Sequence, residues 1–521
     1  MWLVDGLNRS PVRAVLGLHE TVCSGAADGY GRLSRKPAST LLHLGPGLAN
    51  ALANLHNARR ASTPVLNLIG TMASWHEAVD PLLGMDITAL ARSVSKSVIT
   101  STSADTIADS VIEACAATER NDQAGGSRVS TVIIPHDHTW PQQSNPATAP
   151  STHQAPSKMA APKPCQVKHS PSHPAVHDFI ASYAKALRAC PKGQSAIYAG
   201  GQALLQDDGC IACLGAIAAA TGATLLCENA FPRIDRGAGL PHFQRLAYFP
   251  QEAAKELSKY SLLLAVDARL PVAMFGYKDG PSQLITLADE NVWQLDSSCV
   301  DIPSALQQLM QQVRASNIIP GQNCGGVFSQ PVRPDMPKGR LTARSMCAVI
   351  AHMQPEDVII VDESLTSGGA YWDLSKGCPA FTHLTLTGGA IGSGPPLAVG
   401  AAIACPDQCV INIQADGSAM YSLQALWTQA REQLHVITII CANRGYSILK
   451  LEIARQKIPR GGQGKGAEDL TDIAHPIIGW TALATGMGVQ HAVQACTSED
   501  LQAALQNALN REGPSLIECV L

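Results

Sequence analysis

The feature that most constrains this chain is a repeated alternation of short apolar runs with Ala- and Leu-rich stretches of helical pattern. In residues 1–140, Val12–Leu18, Ser39–Leu44, Val65–Ile69 and Val129–Ile134 read as buried strands, with a helix at Ala49–Arg60. Parallel strands need a crossover long enough to hold a helix, so this alternation implies parallel sheets with helices on both faces. The pattern returns in residues 175–313, where "SAIYAGG" and "SLLLAVDA" read as strands and "CIACLGAIAAATGATLLCE" as a buried helix followed by a strand. It returns again in residues 339–521, with strands at Val358–Val361, Val410–Ile413, Val436–Cys441 and Ser515–Val520. The expected fold class is α/β, built as three doubly wound parallel-sheet domains. Residues 141–174 are rich in Pro, Ser, Ala and Thr without an apolar period, and read as a linker with polyproline character. Residues 314–338, rich in Pro and Gly, read as a second linker.

Composition narrows the function classes. A length of 521 residues suits about three domains at roughly 100–200 residues each. The net charge of −4 leaves no electrostatic footprint for nucleic acid or an anionic membrane. No run of 18 apolar residues is present, and the start lacks a basic region before an apolar core, so neither a span nor a signal peptide is expected. The sixteen cysteines are scattered rather than clustered, which points to a reducing compartment and a cytoplasmic location. The one C-x-x-C pair, Cys210 and Cys213, lies in the buried helix without a second ligand pair, and reads as core. His136 and His138 form an H-x-H that reads as a polar strand end.

The chemistry-bearing motif lies in the third segment. Strand Val410–Ile413 ends in Ala415-Asp416-Gly417-Ser418, a helix follows from Ser422 to about Gln433, and strand Val436–Cys441 ends in Asn443-Arg444-Gly445-Tyr446. Asp416 and Asn443 are 27 residues apart, one strand–helix–strand unit, which sets both at the carboxyl ends of neighbouring strands. A carboxylate, an amide oxygen and the Gly445 carbonyl are three oxygen ligands suited to octahedral Mg²⁺, with diphosphate oxygens and water completing the shell. Gly417 and Ser418 are small enough for backbone N–H groups to face phosphates. The plainer alternative is two unrelated strand-end turns, since Asp-Gly and Asn-x-Gly are common turn sequences.

This layout resembles the thiamine diphosphate motif G-D-G-x(about 25)-N of the acetolactate synthase and benzoylformate decarboxylase superfamily, and the resemblance extends over nearly the whole chain outside the linker. It departs at Ala415, which stands in place of the first Gly. The resemblance implies a pyrimidine-binding domain at 1–140, a central domain at 175–313 and a diphosphate- and Mg²⁺-binding domain at 339–521. It implies that Glu363, Ser364 and Thr366 in "VDESLTSGG" lie at diphosphate oxygens, that Ile391 in "TGGAIGSGPPLAVG" props the cofactor in its bent form, and that Tyr446 helps close over the diphosphate. Read from sequence alone, Ile391 is ordinary core.

Glu20, in "VLGLHETVCSGAADGYGRL", reads unaided as an acid at the start of helix Cys23–Tyr30, complementing its dipole. The resemblance implies that it hydrogen-bonds the aminopyrimidine ring, favouring the imino tautomer that deprotonates the thiazolium. His43 ends a strand 23 residues later, before Gly45-Pro46-Gly47. Benzoylformate decarboxylase-like members carry a histidine here as a proton carrier, whereas the G-P-G is like the synthases. Asn50 falls where members contact the cofactor or its surroundings. His76 lies beyond strand Val65–Ile69, equally suited to surface and site. Pro232–Leu246 is a candidate lining for the FAD that acetolactate synthases hold, without a G-x-G-x-x-G fingerprint.

Full-length relatives begin with a further helix and strand and a Gly-x-Pro-Gly loop, so the first domain is expected to be N-terminally incomplete. The function expected from the resemblance is decarboxylation of a 2-oxo acid followed by carboligation, as in acetolactate synthase. The rivals are simple decarboxylation, favoured by His43, and a catalytically impaired homologue that binds a partner, suggested by Ala415 and the short start. The family arrangement implies a homodimer or homotetramer, in which Glu20 of one chain serves the cofactor held by Asp416 and Asn443 of another.

Overall fold

The computed structural model describes residues 2–8, 10–119, 126–140, 174–278, 280–315, 318, 326–455 and 466–521. The proposed linker at 141–174 lies outside these residues except for Pro174, which opens helix Pro174–Ala189. Three sheets stand where the alternation predicts them. The first runs β1 (Ala38–His43), β2 (Val65–Thr71), β4 (Val129–Pro135), β3 (Ser97–Thr100), all parallel. The second holds β5 (Ser195–Ala199), β6 (Thr224–Cys227), β8 (Gln244–Arg245), β9 (Leu262–Val266) and β10 (Val292–Leu295) in the order β10-β9-β5-β6-β8, again parallel.

The third sheet departs from expectation. Its order is β15 (His491–Ala495), β16 (Ser515–Val520), β14 (Val436–Ala442), β13 (Val410–Ala415), β11 (Ile359–Glu363), β12 (Phe381–Thr385), β7 (Arg233–Arg236). The last strand comes from the central stretch and pairs antiparallel with β12, so this sheet is not purely parallel. Three contacts hold the crossing. The Arg236 guanidinium lies 3.5 Å from the centroid of the Trp372 ring and donates to the Trp372 carbonyl at 2.6 Å, and Thr382 donates to Asp235 at 2.9 Å.

Val12–Leu18 is not a strand. It is irregular and exposed, with Val12 at 62% exposure, and no described strand lies beside it to form a ladder. It runs instead along helix Ala425–Arg431, where the Leu16 carbonyl accepts the Thr428 hydroxyl and Arg13 pairs with Glu432. That helix is shorter than the Ser422–Gln433 read from sequence. Conversely, β3, β12 and β15 carry polar residues that break the apolar runs and hid them as strands.

The first and third segments meet where helix Glu20–Ser34 crosses helix Gly394–Ala404. A Cβ on Gly29 would lie 2.1 Å from the Leu397 carbonyl oxygen, and one on Gly400 would lie 2.0 Å from that of Ala26. The two backbones are therefore in direct contact, closer than side chains permit. Arg32 then pins three segments together from a buried position. It pairs with Asp28 at 2.6 Å and donates to the carbonyls of Thr385 (2.7 Å) and Pro232 (3.1 Å). Among the described residues, no helix is long and apolar enough to cross a membrane.

Gly29→Ala is expected to lower unfolding free energy by about 1–3 kcal/mol through overpacking. Gly486→Ala, where nothing lies within 4 Å, should shift it by no more than about 0.5 kcal/mol. Urea melts of the two variants check the difference, and equal effects would contradict the crossing.

Candidate functional site

The carboxyl ends of β11, β13 and β14 carry the polar residues, and these strands are neighbours in the sheet. β13 and β14 pair with Ala415 opposite Cys441, so Asp416 and Asn443 leave adjacent strand ends. Asp416 is buried, and each of its oxygens accepts one backbone N–H: Oδ1 from Gly417 at 2.8 Å, Oδ2 from Arg444 at 2.7 Å. Burial raises its pKa, and these two bonds oppose that rise. The second bond ties the Asp416 turn directly to the Asn443 turn.

Asn443 is half-buried. Its amide nitrogen donates to the hydroxyls of Ser367 and Ser447, each at 3.2 Å, and its Oδ1 accepts the Gly445 N–H at 3.1 Å. Both acceptor oxygens keep unused lone pairs, which is the donor set a hard cation takes. The Gly445 carbonyl accepts from the Ser447 N–H at 2.9 Å. Gly417 meets the Tyr446 ring so closely that a Cβ would lie 2.7 Å from it. Ser418 donates to the Ala415 carbonyl at 3.1 Å and accepts from Gln414 at 2.6 Å. Ala415 has φ −69° and ψ 141°, an ordinary extended conformation, so the position makes no backbone demand for glycine.

Glu363 does not face the strand-end crevice as a phosphate contact would. It is buried, and its oxygens accept the N–H groups of Gly392 (2.7 Å) and Gly394 (2.6 Å), with Gln414 donating at 3.2 Å. It thus clamps the loop that carries Ile391. A carboxylate cannot approach phosphate without repulsion, whereas backbone N–H groups satisfy it, which explains the inward turn. Ser364 also turns back, its hydroxyl donating to Asp362. Thr366 and Ile391 both line a cavity of about 1790 Å³ between the three segments, and Ile391 is half-buried rather than core.

Glu20 is the first residue of its helix and half-buried. Its Oε2 accepts from Asn50 at 3.1 Å, and the Cα of Gly47 faces its other oxygen, where a Cβ would lie 3.3 Å away. His43 ends β1 and is exposed, as is Asn50. The structure therefore forms two groups, one of Glu20, Asn50 and His43, the other of Asp416, Asn443, Gly445 and Tyr446. No described hydrogen bond joins them within the chain.

His76 stands on an exposed loop after β2, with no described hydrogen bond to either group. His138 bonds Ser101 at 3.0 Å and His136 packs edge-on to Trp140, so the H-x-H does not converge on one point. Burial pushes the Cys210 thiol up to about 12, which leaves the C-x-x-C pair without a reactive thiolate there.

Three residues that sequence reading passed over mark the site through their backbones. Leu44, Leu365 and Arg444 all have left-handed φ (58°, 52° and 56°), each directly after or among the polar strand-end residues. Such conformations cost about 1–3 kcal/mol each in bulky residues and gather at functional turns. Gln414, a polar residue inside a buried central strand, was the legible clue to the Glu363 network.

Residues 1–90 match the thiamine pyrophosphate enzyme N-terminal TPP binding domain, and residues 371–519 match the C-terminal TPP binding domain. A Mycobacterium tuberculosis protein provisionally named acetolactate synthase large subunit IlvX is 39% identical over 525 residues, covering 100% of this chain and 94% of that protein. The chain belongs to the thiamine pyrophosphate enzyme family. Benzoylformate decarboxylase of Pseudomonas aeruginosa is 31% identical over 231 residues, 43% of this chain and 40% of that protein. The crystal structure of benzoylformate decarboxylase from Polynucleobacter necessarius shares the fold, with a TM-score of 0.74 at 18% identity over 98% of this chain and 92% of that one.

The Glu363 clamp in this thiamine pyrophosphate enzyme has a pH signature. Burial pushes its carboxyl up to about 7 against the pull of its N–H donors. The folded value thus lies above the unfolded one of about 4.3, so the folded state holds the proton more tightly and loses stability as pH rises between the two. Glu363→Gln should flatten that decline, comparing urea stability near pH 5 and pH 7. It should also cost about 1–3 kcal/mol near pH 7, because an amide cannot offer two acceptor oxygens. An unchanged pH slope in the variant would contradict this assignment.

Proposed function

We propose that this chain is a thiamine diphosphate- and Mg²⁺-dependent enzyme that removes CO₂ from a 2-oxo acid and couples the product to a second carbonyl compound, as acetolactate synthases do. The observation that carries the reading is the Asp416–Arg444 bond of 2.7 Å, which locks the Asp416 and Asn443 turns side by side at the ends of paired strands. Asp416, Asn443 and the Gly445 carbonyl would hold Mg²⁺, while Gly417, Ser418 and Thr366 would meet the diphosphate and Tyr446 would cover it. When bound, the cofactor supplies a nucleophilic carbon and a sink for the electron pair left by CO₂. Ile391, set by the Glu363 clamp, would hold the cofactor in its bent form. Glu20, oriented by Asn50, would hold the proton at the pyrimidine ring.

Glu20, His43 and Asn50 open outward in the single chain, next to exposed Leu41. Trp75, Val79 and Leu82 are also exposed on the loop that follows β2. Exposed apolar side chains of this kind support a homodimer or homotetramer, in which one chain's Glu20 would complete another chain's diphosphate site. A second reading, decarboxylation without ligation, is favoured by His43, an exposed residue at the end of β1 that would deliver a proton.

Purified protein given thiamine diphosphate and Mg²⁺ is expected to convert pyruvate to acetolactate, read as product and CO₂. Aldehyde without acetolactate, from pyruvate or benzoylformate, would select the second reading. No turnover together with no cofactor-dependent rise in melting temperature would reject both, leaving a binding homologue. Glu20→Gln should reduce kcat about 10²–10⁴-fold while keeping the cofactor-dependent rise, and full activity in that variant would refute its proton role.

A further inference from the structure

The likeness to acetolactate synthases raises FAD as a second cofactor of the central segment, and the residues at its sheet do not fit it. In the order β10-β9-β5-β6-β8 the winding reverses between β5 and β9, and the crevice at the carboxyl ends of those strands is where such sheets receive a ligand. A dinucleotide presents its pyrophosphate to the backbone N–H groups of the turn after the first strand. That turn here is Gly200-Gly201-Gln202, and another residue of the chain already fills the space before it.

Asp267, directly after β9, turns its carboxylate into this space. Oδ2 accepts the Gln202 N–H at 2.7 Å, and Oδ1 accepts both the hydroxyl and, at 3.4 Å, the N–H of Ser297, which follows β10. Gly201 has φ 46°, and a Cβ there would lie 2.3 Å from Asp267 Oδ2, so the carboxylate presses on the bare face of the glycine. Asp267 is 8% exposed and itself adopts a left-handed φ of 49°, a conformation held by these bonds. All three partners are donors, which suits an ionised acceptor. Gly201, Gln202, Asp267 and Ser297 all lie on the wall of the large cavity, so a phosphate seated at this turn would lie against the Asp267 carboxylate.

We infer that Asp267 is a specificity-determining residue that occupies the phosphate position of the central crevice, so that this chain takes no FAD. The inference goes beyond the thiamine diphosphate reading, since Asp267 lies on a different sheet from Asp416 and Asn443. A pyrophosphate would have to displace a carboxylate held by three donors, or share the turn with a like charge.

The test uses the full chain with thiamine diphosphate and Mg²⁺ present, titrated into FAD while flavin fluorescence quenching is followed. The wild type is expected to give no saturable quenching and to leave gel filtration without flavin. Asp267→Ala, which empties the cradle and removes the charge, should gain affinity by about tenfold or more, whereas Asp267→Glu, which keeps the charge, should not. Asp267→Asn, near in shape but neutral, serves if the alanine variant does not fold, and is expected to gain in the same direction. Saturable quenching by the wild type, or no gain in any folded neutral variant, overturns the proposal. The thiamine diphosphate-dependent rise in melting temperature, followed in the same samples, reports separately on the function proposed above.

Discussion

The arrangement of the molecule depends on one backbone contact, the crossing of helices Glu20–Ser34 and Gly394–Ala404. Gly29 and Gly400 bring main chain against main chain at a separation that a methyl group on either would prevent. What this fixes is the heads of the two helices. Glu20 begins the first, and the Ile391 loop leads into the second. A rigid crossing at the waist therefore sets where an acid, Glu20, and an apolar side chain, Ile391, emerge, although they are 371 residues apart in sequence. Arg32 and Asp28, buried at the far end of the first helix, fasten the same junction to the central segment through the Pro232 carbonyl.

Around that junction, three buried carboxylates are each held by hydrogen-bond donors. Glu363 is held by Gly392, Gly394 and Gln414, Asp416 by Gly417 and Arg444, and Asp267 by Gln202 and Ser297. A buried carboxylate without such partners would be prohibitive. Each of these acids ties one strand-end turn to another segment, so the same interaction that makes the burial tolerable also fixes the turn. The consequence differs at each site. Asp416 retains free lone pairs for a cation, Glu363 spends its oxygens on the loop beneath Ile391, and Asp267 fills the space it faces.

Much of this was legible. The 27-residue spacing of Asp416 and Asn443 encodes one crossover unit, and register between β13 and β14 makes them neighbours. Helix and strand periodicity likewise showed β2, β4, β5, β9 and β16, because apolar residues dominate those runs. Legibility failed where the deciding partner is remote. Val12–Leu18 has the composition of a strand but no strand beside it, and β7 joins a sheet whose other strands lie well over a hundred residues away. The resemblance sets Glu363, with Ser364 and Thr366, at the diphosphate. Only the positions of the Gly392 and Gly394 N–H groups reveal that it faces the other way. The left-handed residues Leu44, Leu365 and Arg444 leave no trace in composition, since none is Gly, Asn or Asp.

The proposed account divides one active centre between two chains, with Glu20 from one and Asp416 from the other. The most direct test is complementation: Glu20→Gln and Asp416→Ala chains, each inactive alone, are co-expressed and the 2-oxo acid turnover of the mixture is measured. The account predicts that activity returns in the mixture, because mixed dimers contain one centre with both residues intact. A mixture no more active than its separate components, in the presence of mixed dimers, would contradict it.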